Sequence, residues 1–136
     1  MNLSKHFSLA ELTFSQTAKR QKIDNTPGKP HIRNLNRLAT TLEQVRELMG
    51  GKPIRITSGY RCQALNRAIG SKDSSQHIEG LAADFHVPGI PIDNIYCAIK
   101  SSAINFDQLI NEYDSWVHIS IPAPGEHHRN QAFKIA

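Results

Sequence analysis

The chain has 136 residues, of which 39% are hydrophobic and 21% charged, a composition that supports one packed domain and excludes a disordered chain. Sixteen lysines and arginines against twelve aspartates and glutamates leave a net charge of +4, which favours contact with polyanions. The basic residues (Lys19, Arg20, Lys22, Arg33, Arg37, Arg46) are scattered and lack aromatic stacking partners, so no specific nucleic-acid site is expected.

No apolar run approaches the roughly 20 residues of a membrane span. Met1 to His6 lacks the apolar stretch of a signal peptide, so the expectation is a chain made in the cytoplasm without Sec export. Cys62 and Cys97 make neither a disulfide framework nor a thiolate metal site and are expected as reduced, mostly buried thiols.

In chain order, Ser8 and Glu11 form a capping box for a first short helix, with Phe7 and Leu12 placed as its hydrophobic staple. A second short helix follows Ser15, and Asp24 to Pro30 reads as a Pro/Gly loop. Leu35, Leu38, Ala39, Leu42, Val45 and Leu48 recur at spacings of three and four, which predicts a core helix capped by Asn34 and stopped at Gly50-Gly51. Lys52 to Thr57 alternates as a strand; Ser58-Gly59-Tyr60-Arg61 is a turn; Gln63 to Ile69 is a short helix. Strands are predicted at Leu81 to Val87, Asp107 to Asn111 and Trp116 to Ile121, with a helix between them carrying Ile92, Ile95 and Ile99 on one face. From Pro122 to Ala136 the chain reads as a loose tail. Helices first and strands later argue an α+β domain over 1–136 with an antiparallel sheet.

Alternation in the strands sorts the chemistry. Ala83, Phe85 and Val87 share an apolar face, leaving Ala82, Asp84 and His86 on the other; likewise Trp116, His118 and Ser120 oppose Val117, Ile119 and Ile121. An aspartate in a strand of core residues is costly unless a cation meets it, either a metal or Arg55 or Arg61. Gly80 and Ala82 remove bulk where His77 would approach. Two histidines and a carboxylate without cysteine are the usual ligand set of a hydrolytic zinc site, whose fourth position is left for water. Such chemistry also needs a carboxylate base, and Glu112 and Asp114 stand just ahead of His118.

Ser75-Gln76-His77-Ile78-Glu79-Gly80-Leu81-Ala82-Ala83-Asp84 resembles, without a gap, the Ser-x-His-x-x-Gly-x-Ala-x-Asp signature of the zinc D-Ala-D-Ala carboxypeptidases and related peptidases. That group includes D-Ala-D-Ala dipeptidases and phage endolysin peptidases. Ser58-Gly59-Tyr60-Arg61, Asn66, Trp116-Val117-His118 and the opening from Phe7 to Asn25 agree with it, so the resemblance spans nearly the whole chain.

The resemblance implies a hedgehog/DD-peptidase-like α+β fold, a small antiparallel sheet carrying the site with helices packed on one side. It implies one zinc ion held by His77, Asp84 and His118, with Arg61 and Ser75 holding substrate. Many relatives place Glu three residues before the last histidine; here that position is Ser115, and Glu112 is favoured over Asp114 as the base. His86 is a candidate second partner on the same face.

The implied function is a monomeric zinc peptidase cutting the peptidoglycan stem peptide, as a D-Ala-D-Ala carboxypeptidase or an L-Ala-D-Glu endopeptidase. It would act on the cell wall after phage-type release. The rivals are a non-catalytic zinc-binding cell-wall or phage structural module, and a metal-free basic adaptor.

Overall fold

The computed structural model describes residues 1–136. α1 (Leu9–Thr13) starts in the expected capping box: Ser8 Oγ accepts from the Glu11 amide at 3.1 Å, and Glu11 Oε1 accepts from the Ser8 amide at 3.1 Å. α2 (Gln16–Gln21) is capped by Ser15. α3 (Lys29–Leu48) starts five residues ahead of the expected Asn34 cap. Gly28 is its N-cap, and Pro30 fits the first turn, where a missing N–H breaks no helical bond. Asn34 instead lies inside the helix, and its side-chain amide donates to the Glu79 carbonyl at 2.8 Å, bracing the segment that carries His77. The expected stop holds, with Gly50 and Gly51 both at positive φ just past the helix end.

β1 (Arg55–Ser58), α4 (Gln63–Ala68), a 3-10 turn (Gln76–Glu79), β2 (Ala82–His86), α5 (Ile92–Lys100), β3 (Gln108–Glu112) and β4 (Trp116–Ser120) follow. The last strand, β5 (Gln131–Ile135), corrects the expectation of a loose tail beyond Pro122. It docks parallel to β3, and Asn130 and Gln131 donate backbone bonds to the Phe106 and Asp107 carbonyls at 3.0 Å each. The strand order is β1-β2-β4-β3-β5, antiparallel throughout except for this edge, so the sheet is mixed rather than wholly antiparallel.

One sheet face, built from Ala83, Phe85, Leu109, Val117 and Ile119, merges with Leu12 of α1, the apolar stripe of α3 and Ile95 and Ile99 of α5 in a single core. The period-two strands and the 3.6-period helices thus bury complementary faces. Both cysteines are free, but only Cys62 is partly buried. Its Sγ accepts from the Leu65 amide at 3.4 Å at the start of α4, whereas Cys97 is exposed on α5, against expectation. No helix is long and apolar enough to cross a membrane.

Candidate metal centre

The sheet face turned away from α3 and α5 carries the polar residues. Across β2 and β4, Asp84 pairs with His118, and across β4 and β3, His118 pairs with Ile110 and Trp116 with Glu112. Alternation therefore brings Asp84, His118, Trp116 and Glu112 to one surface. His77 arrives from the 3-10 turn, whose first amides are capped by Ser75 Oγ (3.3 Å to the His77 amide). Gly80 ends that turn at φ 75°, and a Cβ there would lie 2.9 Å from the His31 carbonyl of α3. Its lack of a side chain thus serves the packing of the turn on α3, not clearance for His77.

His77, Asp84 and His118 are buried, and one ligand atom from each lies within 4.8 Å of the others. His118 Nδ1 is 2.9 Å from Asp84 Oδ1 and His77 Nε2 is 3.4 Å from the same oxygen. The far nitrogen of His77, Nδ1, faces the Gly59 carbonyl at 2.7 Å. A carbonyl only accepts, so Nδ1 carries the proton and a neutral ring offers a lone pair at Nε2. A lone pair aimed at a carboxylate calls for a cation between them, and the donor set of two imidazoles and one carboxylate suits a zinc-like ion. That neutral ring belongs to the metal-bound state; without a metal, burial alone would raise the Asp84 carboxyl, but the charge of a doubly protonated His77 and hydrogen bonds from His118 and His77 hold it well below the ordinary carboxylate range.

Arg61 closes one side. Its Nε donates to Ser58 Oγ at 3.0 Å, Nη1 to Asn66 Oδ1 at 3.2 Å and Nη2 to Asp84 Oδ2 at 3.5 Å. The ion pair with Asp84 and the candidate metal set are thus not alternatives: the guanidinium takes Oδ2 while the imidazoles converge on Oδ1. Burial lowers the Arg61 pKa, opposed by the charges of Asp84 and Glu112.

Glu112, Ser75, Arg61, Trp116 and the three candidate ligands line one cleft of about 430 Å³. Glu112 Oε2 accepts from Trp116 Nε1 across the strand pair. Asp114 does not line the cleft. β3 ends at Glu112, and Tyr113 and Asp114 take left-handed conformations (φ 57° and 51°) in the turn to β4. The Asp114 carboxylate is bound by Asn111 Nδ2 at 2.8 Å and its amide donates to Asn111 Oδ1 at 3.0 Å. His86 sits at the far end of β2 opposite Arg55 and lies outside the cleft.

Two supports escaped sequence reasoning. Asn25, from a segment readable only as a loop, clamps the Arg61 turn. Its Nδ2 donates to the Thr13 and Tyr60 carbonyls at 2.9 and 3.0 Å, and its Oδ1 accepts from the Cys62 amide at 2.7 Å. Gln76 Nε2, beside His77, donates to Asp107 Oδ2 at 2.9 Å, and Arg129 grips the same carboxylate with Nε at 2.8 Å and Nη2 at 2.7 Å. No local signal marks these residues, because each partner is distant in sequence.

A small α+β domain with two buried imidazoles and a buried carboxylate opening on a cleft that also holds the Glu112 carboxylate fits the class of metal-site hydrolases. The family model Peptidase M15 matches residues 5–120, and the chain belongs to that family. It thereby falls among the metallopeptidases, with a His-Asp-His group able to hold their metal. No curated protein matches the chain.

Proposed function

We propose that the protein is a zinc-dependent peptidase that hydrolyses a peptide bond of the peptidoglycan stem. The observation that carries this reading is the convergence of His77, Asp84 and His118 in the same cleft as the Glu112 carboxylate. His77, Asp84 and His118 would hold the zinc ion. When bound, zinc supplies Lewis acidity to a carbonyl and acidity to water.

The remaining work falls to the chain. Glu112 takes the proton of the attacking water at its carboxylate and returns it to the departing amine nitrogen. The Trp116 indole N–H fixes one Glu112 oxygen and leaves the other for the proton. Three of the five guanidinium N–H groups of Arg61 are engaged, and the two left can hold the peptide carbonyl as charge builds on its oxygen. Ser75, at the cleft wall, can add a hydrogen bond to the peptide.

Mass spectrometry of purified peptidoglycan digested with the zinc-loaded protein, beside a chelated control, tests the reading. Products that vanish with chelator are expected. Their absence across several wall types, with one zinc bound per chain, would favour a non-catalytic zinc module instead.

A further inference from the structure

β5 lies beyond residues 5–120, which the family model matches, and no step of the proposed hydrolysis uses it. Gln131–Ile135 pair one to one with Gln108–Glu112, so the strand runs beside β3 as far as the residue that carries the candidate base. The next residue, Tyr113, donates its amide to the Ile135 carbonyl at 2.8 Å. Two side chains of this C-terminal segment, Arg129 and Lys134, each begin a hydrogen-bond path that leads to the cleft.

The first path leads to His77. Asp107 is a buried carboxylate outside the cleft, and it accepts from Arg129 Nε and Nη2 at 2.8 and 2.7 Å and from Gln76 Nε2 at 2.9 Å. A buried carboxylate holds its donors firmly, because each bond lost leaves charge out of water unpaired. Gln76 Nε2 also donates to the Ile121 carbonyl at 3.3 Å, and Oε1 is buried without a hydrogen-bond partner. Turning the amide over would set that oxygen against two acceptors, so the side chain has one orientation. His77 is the next residue of the same 3-10 turn. The second path leads to Glu112. Lys134 Nζ lies 2.7 Å from Asp93 Oδ1 of α5, which also accepts from Asn111 Nδ2 at 3.1 Å. Asn111 is buried and binds Asp114 at 2.8 and 3.0 Å, which fixes the turn after Glu112. Successive strand residues face opposite sides, so an Asn111 anchored to α5 sets Glu112 toward the cleft.

We infer that Arg129 and Lys134 are positioning residues, and that the β5 segment is a clamp that sets His77 from one end and Glu112 from the other. The Glu112 arm rests on the peptidase reading; the His77 arm needs only a metal. Arg129 is the stronger hold, since it meets a buried carboxylate, whereas Lys134 and Asp93 are both half exposed and solvent weakens their attraction.

The experiment uses the full chain carrying Arg129→Gln, Arg129→Lys or Lys134→Met, each held well below its unfolding temperature. Zinc affinity is measured by competition with a chromophoric chelator, and kcat and KM on a synthetic stem peptide. Arg129→Gln is expected to bind zinc about fivefold more weakly, less than the roughly tenfold or more lost when a direct partner of a ligand is removed. Arg129→Lys should recover part of that loss. In Gln76→Met, which cuts the path just before His77, Arg129→Gln should add no further loss. Lys134→Met is expected to lower kcat about threefold, with KM and zinc affinity unchanged.

A folded Arg129→Gln chain that binds zinc as the parent does, or one whose loss is undiminished in the Gln76→Met background, would overturn the His77 arm. Parental kcat in Lys134→Met would overturn the Glu112 arm. A purely structural role for β5 would lower the unfolding temperature and leave zinc affinity and kcat of the folded chain where they were. If the parent binds zinc and cleaves no stem peptide, the peptidase reading falls and takes the Glu112 arm with it, while the zinc measurements still decide the His77 arm.

Discussion

Single atoms decide the chemistry of this cleft. The Gly59 carbonyl selects the His77 tautomer, and Gly59 must be glycine because a Cβ there would sit 2.3 Å from the Leu12 carbonyl oxygen. Gly59→Ala is expected to cost about 1–3 kcal/mol in urea unfolding. It should also weaken zinc binding in a chelator competition, since the carbonyl that orients His77 must move. Glu112 and Asp114 are two residues apart and chemically alike, yet one faces the cleft and the other is tied into a turn by Asn111. Glu112→Gln is therefore expected to keep one zinc per chain by elemental analysis and to lose about two to four orders of magnitude in kcat. Asp114→Asn should stay within severalfold of the parent. Equal losses in the two variants would defeat the assignment of the base.

The elements matter through what they hold in place. α3 packs its apolar stripe on the sheet and, through Asn34 and the close approach at Gly80, also sets the height of the turn that presents His77. β5 closes the opposite edge of the sheet, and the segment leading into it carries Arg129 to the buried Asp107, which in turn receives Gln76 next to His77. The Arg129 hydrogen bonds, with that of Gln76 adding to them, keep the Asp107 carboxyl below its ordinary pKa despite burial. The Arg129 side chain is 57% exposed, so solvent screens the pair. Arg129→Gln is expected to cost about 1 kcal/mol in denaturant unfolding. Asp107→Asn in that background should cost less than it does alone, and additive losses would show that the two are not coupled.

At the scale of the whole molecule, acid and chelator are the two levers on stability. The Asp84 and Asp107 carboxyls both lie below their ordinary values. A depressed folded-state pKa means that the unfolded chain takes up protons first as pH falls. The stability these groups supply is then complete above the unfolded value of about 4 and lost as pH drops through the folded values. In the metal-free chain the urea midpoint should therefore fall below about pH 4, with a shallower fall in Asp107→Asn. A metal that binds only the folded chain adds stability by mass action, about 4 kcal/mol at a thousandfold excess over its Kd. Calorimetry with and without chelator should show a Tm that rises with free zinc, and His118→Ala should abolish the rise.

The elements and the candidate ligands could be read from sequence because they rest on local rules. A capping box, a 3.6-residue stripe and a two-residue alternation each act within a few positions, and alternation alone sets Asp84 and His118 on the polar faces of their strands. The ten-residue run from Ser75 to Asp84, with Arg61 before it and His118 after, also carries the family. What depended on distant pairing was not legible: the early start of α3, the docking of β5 where a loose tail was expected, and the Asn25 clamp. Each is settled by contacts that local rules do not reach, such as Asn34 to Glu79, Asp107 to Arg129 and Asn25 to Cys62. Local propensity determines which segments are strands and helices; only the folded chain decides which side chains meet, because a hydrogen bond or a steric limit exists only once both partners are in place.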